Sequence, residues 1–474
     1  MIFFFVILFV YSVKKYYLCR LLCAHAPLWV CTSMYNNNVR KQKQINNKQS
    51  INMQQIKLTR GLDVKLDGKA ARECGSIMRP EVFHIVPDHF AGIKPRLLVH
   101  EGDKVKAGSP LFQDKTFAEM LFTSPVSGTV KAIVRGERRK VLSIDIEADA
   151  TTKYEAFDTK QDLKALLLQS GLWALIKQRP YDCIALPTKT PKAVFISSFD
   201  SAPLAPDYDF VLQGHETEVQ AAITALSAIA PVYVGIKAGS RAAWKDCTLY
   251  MVDGPHPAGN VGVQINHVAP IAKGETVWTV NIQDLRLIGT LLLKGIVDMR
   301  KRVALTGPLV REPKYYDVLP GMPASCVLKC NVEVGVEPRY IAGNALSGHQ
   351  IDFDEPISPY DNQFTVIAQG TETHEFMGWI MPPFLREGEQ DARLKGGRRA
   401  IIVSGEYERV FPMDIYPEHL IKAMIAGNLD RMEALGAYEV APEDFAVCEY
   451  VCTSKMPLQA IVRAALDNLK QEIE

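Results

Sequence analysis

The chain has 474 residues, 47% hydrophobic and 23% charged, a composition typical of a globular protein with roughly three or four domains. The formal net charge of +1 hides an asymmetry, because residues 1–52 contain seven Lys or Arg and no acid, while the rest of the chain has 47 basic and 53 acidic side chains. This balance gives no support to nucleic-acid binding, which requires a concentrated basic surface.

Residues 1–52 differ in composition from everything that follows. Their first apolar run, of about 13 residues, is too short to cross ~30 Å of hydrocarbon as a helix. Lys14 and Lys15 follow this run, whereas the positive region of a signal peptide precedes it. Residues encoded by AT-rich codons dominate. We therefore interpret 1–52 as a disordered, mistranslated leader and expect Met53 to be the start; a signal, an anchor or a functional extension are the alternatives.

The cysteines indicate a reducing compartment. Ten are present, and seven remain outside the leader: Cys74, Cys183, Cys247, Cys326, Cys330, Cys448 and Cys452. An odd number at irregular spacing does not form a disulfide framework.

Residues 53–155 are predicted to form an all-β module. Short apolar runs alternate with Gly-Asp, Ala-Gly, Ser-Pro and Arg-Gly turns. The segments 101–108 and 124–130 resemble the biotinyl/lipoyl-type barrel-sandwich fold, whose carrier versions present a modifiable lysine between such segments. Lys115 lies there, but its distance to Pro125 is longer than in lipoyl carriers and Met-Lys-Met is absent. An unmodified structural barrel is favoured over a carrier.

Residues 156–302 alternate strands with helices. The pattern predicts strands at 193–197, 231–236 and 249–252 and a helix at 215–229. This alternation of strands with a helix is typical of βαβ units and favours a Rossmann-like α/β layer. Neither G-x-G-x-x-G nor a P-loop occurs, so this layer is interpreted as a scaffold and not as a dinucleotide site.

The C-terminal half is predicted to be a small β domain followed by helices. In 303–375, strand-like runs at 303–308, 326–328 and 339–344 fit an SLBB-like β-grasp fold. In 376–474, one helix is predicted at 418–435 with Gly436 as its C-cap, and Ser454 is expected to cap a last helix. The fold class is thus multidomain, α/β and α+β.

Two C-x₃-C pairs are the only close cysteines outside the leader: Cys326 with Cys330, and Cys448 with Cys452. They could supply a four-thiolate metal site only if the two segments met. Buried, unliganded thiols are the favoured interpretation, and we predict that Cys448 and Cys452 bind no metal.

The loop 253–262 is the most distinctive segment. It is either a turn-rich connection or a place where glycines let the backbone approach a flat ligand or a partner. Its candidate quinone- or partner-facing residues are Gly254, His256, Gly259 and Gly262. The histidines show no ligand spacing, and no catalytic-triad or nucleophile motif occurs. No catalytic, cofactor-binding or metal-binding residue is therefore predicted.

Residues 56–472 resemble the A subunit of the sodium-translocating NADH:quinone reductase. The segments that carry the resemblance are 61–63, 97–112, 122–128, 254–259, 277–284, 302–308, 407–415 and 445–452. The family is related to the flavoprotein subunit of complex I and to the C subunit of Rnf complexes. Their FMN-binding glycine loop and cluster cysteines are missing here. Many members carry His-x-His where this chain has Gln264 and Asn266, which argues against a shared proton-transfer role for those histidines.

The resemblance implies a peripheral protein at the cytoplasmic face of the bacterial inner membrane. Its expected partners are the five other polypeptides of the complex (B, C, D, E and F), chiefly the membrane protein B, with quinone as an expected ligand. NADH, FAD, FMN, riboflavin and iron–sulfur centres would belong to those partners, and this chain would bind no cofactor. The alternatives are an Rnf C subunit or a lipoyl or biotin carrier modified at Lys115.

Overall fold

The computed structural model describes residues 53–240, 242–329, 331–333, 335–370, 391–394 and 396–473. The interpretation of 1–52 and the position of Cys330 lie outside these ranges. The described residues from Gln55 onward belong to one compact unit.

Twenty strands occur in the described residues. They are β1 (Gln54–Lys57), β2 (Cys74–Gly75), β3 (Val82–Ile85), β4 (Pro95–Leu97), β5 (Lys104–Val105), β6 (Pro110–Asp114), β7 (Leu121–Thr123), β8 (Gly128–Arg135), β9 (Val141–Ala148), β10 (Ile176–Arg179), β11 (Cys183–Ile184), β12 (Ala193–Ser197), β13 (Val232–Lys237), β14 (Thr248–Asp253), β15 (Val277–Val280), β16 (Lys301–Thr306), β17 (Lys314–Val318), β18 (Pro338–Ala342), β19 (His349–Ile351) and β20 (Gln363–Ala368).

Ten α-helical segments accompany them in the same ranges. They are α1 (Leu163–Ser170), α2 (Tyr208–Val211), α3 (Glu216–Ser227), α4 (Val261–Val268), α5 (Ile282–Lys294), α6 (Ser325–Leu328), α7 (Pro417–Ile425), α8 (Leu429–Ala434), α9 (Ala446–Val451) and α10 (Leu458–Ile473).

The N-terminal module consists of two small antiparallel sheets, ordered β3-β9-β8-β5 and β4-β6-β7. Alternate residues are buried in β3 and in the second half of β9, as the period of two requires, whereas the adjacent Leu111 and Phe112 of β6 are both buried. Phe112 and Phe122, both buried, stack there with ring centroids 4.7 Å apart. The predicted all-β module is confirmed. Lys115 is exposed directly after β6, in the connection to β7.

The middle region is built on a seven-stranded sheet of order β1-β14-β13-β12-β15-β10-β11. β12 pairs in parallel with both β13 and β15, whereas β10 pairs antiparallel with β15. Residues 193–196 are all buried, as expected for a parallel strand covered on both faces. The chain proceeds from β12 outward to β14 and then returns to β15 on the other side of β12. The sheet therefore has a topological switch point between β12 and β15.

The next region holds a six-stranded sheet of order β19-β18-β20-β16-β17-β2. The strand predicted at 326–328 is wrong, because these residues belong to the helical turn α6. The amide groups of Val327 and Leu328 donate to the carbonyl of Ala324 at 2.9 and 3.0 Å. An apolar run this short fits one helical turn as well as a strand.

The helical end also differs from its prediction. The single helix expected at 418–435 is two helices, α7 and α8, since Gly427 adopts a left-handed φ of +65°. Asn428 then caps α8 by accepting a hydrogen bond from the amide of Arg431. Ser454 does not cap α10; its hydroxyl donates to the carbonyl of Ala400. No helix among the described residues is long and apolar enough to cross a bilayer.

Candidate functional site

A cavity of about 310 Å³ lies at the switch point between β12 and β15. In open α/β sheets this is the position where ligands bind, because the loops after the two strands diverge and leave a crevice. Three regions line this switch-point cavity: the seven-stranded sheet, the loops 343–347 and 360–363 of the six-stranded sheet, and Glu443 from the C-terminal helical part.

The two strands place polar groups at the cavity through the residues that follow them. β12 leads into Phe199 and Asp200, and β15 leads into Asn281. The side chain of Asn281 caps α5 by accepting a hydrogen bond from the amide of Gln283, and it donates to the hydroxyl of Tyr208 at 3.3 Å. Because Asn281 is the N-cap residue of α5, its side chain is held in place in one wall of the cavity.

Arg179 at the end of β10 forms the second wall. Its side chain is 1% exposed and donates to Glu443 Oε1 at 2.9 Å and to Asp444 Oδ2 at 3.2 Å. Burial alone would lower the pKa of the guanidinium, but Asp444, Asp182 and Glu443 raise it above its usual range. Partial burial also raises the pKa of the Glu443 carboxyl, whose side chain is 43% exposed.

The carboxylate of Asp444 packs against the first turn of α4, beside Gly262. Asn260, the N-cap residue, donates its side-chain amide to Asp444 Oδ1 at 3.5 Å. A Cβ added to Gly262 would lie 2.5 Å from Asp444 Oδ2, so only glycine leaves room for the carboxylate. A helix N-terminus favours a negative charge, and here the protein supplies it itself.

The four loop residues predicted to face quinone or a partner take different positions. Gly259 lines the switch-point cavity, and Gly254 lines a separate cavity of about 290 Å³. Gly262 packs against Asp444, as described above. His256 is 3% exposed, with Nδ1 3.0 Å from the hydroxyl of Ser201. Burial lowers the pKa of His256 to about 4. Contact of these residues with quinone or a partner stays a prediction.

The glycines of this loop allow close packing within the protein. Gly254 has a φ of +148°, and a Cβ there would lie 2.7 Å from the carbonyl oxygen of Leu58. A Cβ at Gly259 would lie 2.4 Å from the amide nitrogen of Ser201. The structure thus gives a packing reason for the glycine-rich pattern.

Gln264 and Asn266 hold the surrounding elements together. Gln264 is 1% exposed, accepts from the hydroxyl of Tyr250 at 2.8 Å and donates to Ser197 Oγ at 3.0 Å. Asn266 donates to Glu439 Oε2 at 2.7 Å. The sequence marked both positions only as departures from a family pattern; their structural role depends on partners distant in the chain.

Cys448 and Cys452, in the C-terminal helical part, lie in the hydrophobic core. Cys448 and Cys452 are fully buried, and Cys452 Sγ lies 2.9 Å from the hydroxyl of Tyr407. Burial raises the pKa of the Cys448 thiol well above its ordinary value, which favours a protonated thiol. Cys326 is half-buried. In the described part of the chain, no three His, Cys, Asp or Glu side chains are grouped to hold a metal ion.

Sequence reasoning missed Arg179, Glu443 and Asp444. Glu443 and Asp444 follow Arg179 by 264 and 265 residues, so no local motif joins them. Two adjacent acids next to a proline were the only signal available.

The fold and the site define a multidomain α/β protein with an N-terminal barrel-sandwich domain. Three family models match the chain: the NqrA N-terminal barrel-sandwich hybrid domain at residues 56–149, the NqrA second alpha/beta domain at 158–297 and the NQRA C-terminal domain at 302–352. These matches follow one another along the chain.

Full-length relatives agree with these matches. Proteins named as the A subunit of Na(+)-translocating NADH-quinone reductase are 32% identical in Haemophilus influenzae (strain 86-028NP), 33% in Klebsiella pneumoniae (strain 342) and 32% in Yersinia pseudotuberculosis (serotype O:1b, strain IP 31758). Each alignment covers 88% of this chain and 100% of the relative. The chain belongs to the NqrA family, the A subunits of Na⁺-translocating NADH-quinone reductases.

Proposed function

We propose that this chain is the A subunit of a sodium-translocating NADH:quinone reductase complex, peripheral at the cytoplasmic face of the bacterial inner membrane. Its partners would be the five other polypeptides of that complex (B, C, D, E and F), and its main contact would be the membrane protein B. The observation that carries the proposal is the alignment with relatives of this name over 100% of their length.

Within the complex, we propose a scaffold role next to the quinone-reducing step, without a bound redox cofactor. The flavins and iron–sulfur centres would reside on the partner subunits. One feature of the site supports this. The carboxylate of Asp444 lies against the first turn of α4 at the switch point, where its negative charge would repel a dinucleotide phosphate. Since a quinone site is mostly apolar, we place quinone beside the polar switch-point cavity and not within it.

The finer fold assignments belong to the same proposal. The parallel order of β12, β13 and β14 supports a Rossmann-like layer. The mixed sheet around β16 and β20, with α6 beside it, is proposed to be an SLBB-like β-grasp domain.

Purification from native membranes tests the proposal. A tagged copy of this chain, extracted in mild detergent, should bring the five other polypeptides with it, and chemical cross-links should join it chiefly to the membrane protein B. An unrelated peripheral membrane protein with the same tag is the control. Recovery of the chain alone, or with the components of another complex, would refute complex membership.

A further inference from the structure

We propose that the tip of the β8–β9 hairpin, residues 134–142, binds anionic phospholipid headgroups at the surface of a bilayer. This inference goes beyond the proposed contact with the membrane protein B, because it adds a direct contact with lipid. It rests on the charge of the hairpin tip, on its projection from the sheet, on two exposed apolar side chains and on the backbone conformation of its turn.

Positive charge is concentrated at the hairpin tip. Its nine residues contain four Lys or Arg and one acid, whereas acids outnumber bases in the chain after the leader. All four cations are exposed. Lys140 pairs with Asp88, with 2.5 Å between Nζ and Oδ2. Within the described part of the chain, Arg135, Arg138 and Arg139 form no ion pair, so their charge is available to an outside partner.

The hairpin tip extends beyond the neighbouring strands of its sheet. β3 pairs with β9 no further than Ile144, and β5 pairs with β8 no further than Thr129. Past these positions the two hairpin strands pair with each other as far as Arg135 and Val141. At ~3.3 Å per residue, the three steps from Ile144 to Val141 add about 10 Å. The hairpin tip can therefore reach a flat surface before the rest of the sheet meets it.

Two apolar side chains are exposed among these cations. Val134 is 40% exposed and Leu142 is 43% exposed. Elements that bind at a membrane interface combine such groups, because cations pair with anionic headgroups while apolar side chains enter the boundary of the acyl chains. A soluble polyanion would compensate the arginines but leave both apolar side chains in water. A bilayer that contains anionic lipid accommodates both kinds of group.

The turn places arginines where other residues are more stable. The amide of Lys140 donates to the carbonyl of Glu137 at 3.1 Å and closes a turn whose central residues are Arg138 and Arg139. Their φ angles are +52° and +60°. A positive φ at both central positions is the type I′ pattern, for which Asn-Gly is preferred, and it is unfavourable for a residue with a Cβ. The stability of the turn does not explain the two arginines, whereas a contact made by their charge does.

The test uses the purified full-length chain and vesicles of phosphatidylglycerol and phosphatidylcholine in equal parts, with pure phosphatidylcholine vesicles for comparison. Residues 1–52 also carry seven cations, so binding alone would not locate the contact. Val134→Trp places a fluorescent reporter at the hairpin tip. With the anionic vesicles only, its emission should shift to shorter wavelength and be quenched by phospholipids brominated in the acyl chain. Ile425→Trp, at an exposed position of α7, is the control reporter and should show neither effect.

Two double variants show whether the arginines carry the binding. Each cation close to an anionic bilayer strengthens binding by roughly fivefold, so Arg138→Asn with Arg139→Gly should weaken it by roughly 25-fold. Its urea midpoint of unfolding should be unchanged or higher, since Asn-Gly suits the turn. Lys57→Gln with Arg60→Gln removes the same charge from exposed positions at β1 and is the matched control. Because salt screens charges more than ~10 Å from the bilayer, the control should change binding by less than about twofold.

Several outcomes would overturn the inference. They are equal quenching of both reporters, equal binding to neutral vesicles, and a loss of less than roughly threefold in the Arg138 and Arg139 variant. Polyglutamate serves as a soluble acidic probe. If it bound in a manner that depended on the two arginines while the vesicles did not bind, the hairpin tip would be a contact for an acidic protein and the inference would be wrong. Vesicle binding is measured without the other polypeptides, so its failure is distinguishable from failed co-purification with the complex.

Discussion

At the residue scale, Gly262 shows how a missing side chain shapes the site. It lies in the first turn of α4, and the space that a Cβ would take is filled by the carboxylate of Asp444. Asp444 in turn pairs with Arg179. One glycine therefore allows a buried ion pair to form at the switch point.

Replacing Gly262 by Ala should lower the free energy of unfolding by about 1–3 kcal/mol, because the added carbon displaces Asp444 from Arg179. Urea unfolding measures this. Gly397→Ala is the matched control, since a Cβ there meets no atom within 4 Å. Equal stability of the two variants would show that the carboxylate does not depend on this glycine.

His256 predicts a pH dependence of stability. Burial lowers its pKa from 6.5 to about 4, and Asp63 offsets only part of this shift. The unfolded chain thus binds a proton at a higher pH than the folded chain, so this residue's contribution to stability falls as the pH drops from 6.5 towards 4. Its limit is roughly 3 kcal/mol.

In His256→Gln this contribution should disappear, leaving the free energy of unfolding less dependent on pH between 4 and 6.5. Denaturant titrations across that range measure the difference. His100→Gln serves as the control, because the His100 side chain is 91% exposed. An unchanged pH profile in the His256 variant would contradict the assignment.

The buried cysteines make a separate prediction. Cys448→Ser with Cys452→Ser should leave metal content and visible absorbance unchanged, while stability falls by about 1–3 kcal/mol as hydroxyls replace buried thiols. Elemental analysis and unfolding curves provide both readouts. Cys74→Ser, at an exposed position, should change neither. Loss of bound iron or zinc from the double variant would overturn the prediction.

At the scale of elements, Arg179 ties the sheet to the C-terminal helices. It projects from the end of β10 to residues 443 and 444, whose 3₁₀ turn Pro442–Phe445 precedes α9. The guanidinium is the only cation among the described residues that makes a hydrogen bond to Asp444. Arg179 is therefore one of the side chains that join these two distant parts of the unit, together with Asn260 and Asn266.

Arg179→Met should destabilise the protein by about 3–5 kcal/mol, because it leaves the buried carboxylate of Asp444 without its partner. Adding Asp444→Asn should recover part of this loss. Unfolding curves and limited proteolysis of the C-terminal region measure both effects. Arg96→Met, on the exposed face of β4, is the control. A double variant no more stable than the single one would argue against the ion pair as the cause.

At the scale of the whole molecule, we expect the purified chain alone to show no NADH oxidation. The sequence has no glycine loop for a flavin, so a hydride from NADH would have no acceptor. Membranes depleted of this chain should still reduce an artificial acceptor with NADH, while quinone reduction falls. Spectrophotometric assays, with restoration by added purified chain as the control, measure this. NADH oxidation by the isolated chain would refute the scaffold role.

The sequence by itself determined the local structure. Short apolar runs between turn residues specify the barrel strands, and the continuous apolar run at 193–196 specifies the buried strand β12. These features depend on neighbouring residues only. Predictions failed where a short run fitted two structures, as at α6, or where one residue ended an element, as at Gly427 between α7 and α8.

Only the tertiary structure decided the site. The loop 253–262 was singled out from its glycines, but its role as close packing around two cavities depends on Leu58, Ser201 and Asp444. Arg179 and Asp444 are 265 residues apart, and no sequence pattern links them. A buried ion pair is specified by desolvation and distance in three dimensions, which a linear sequence does not display, whereas helix and strand periodicity repeats within a few residues and can be read directly.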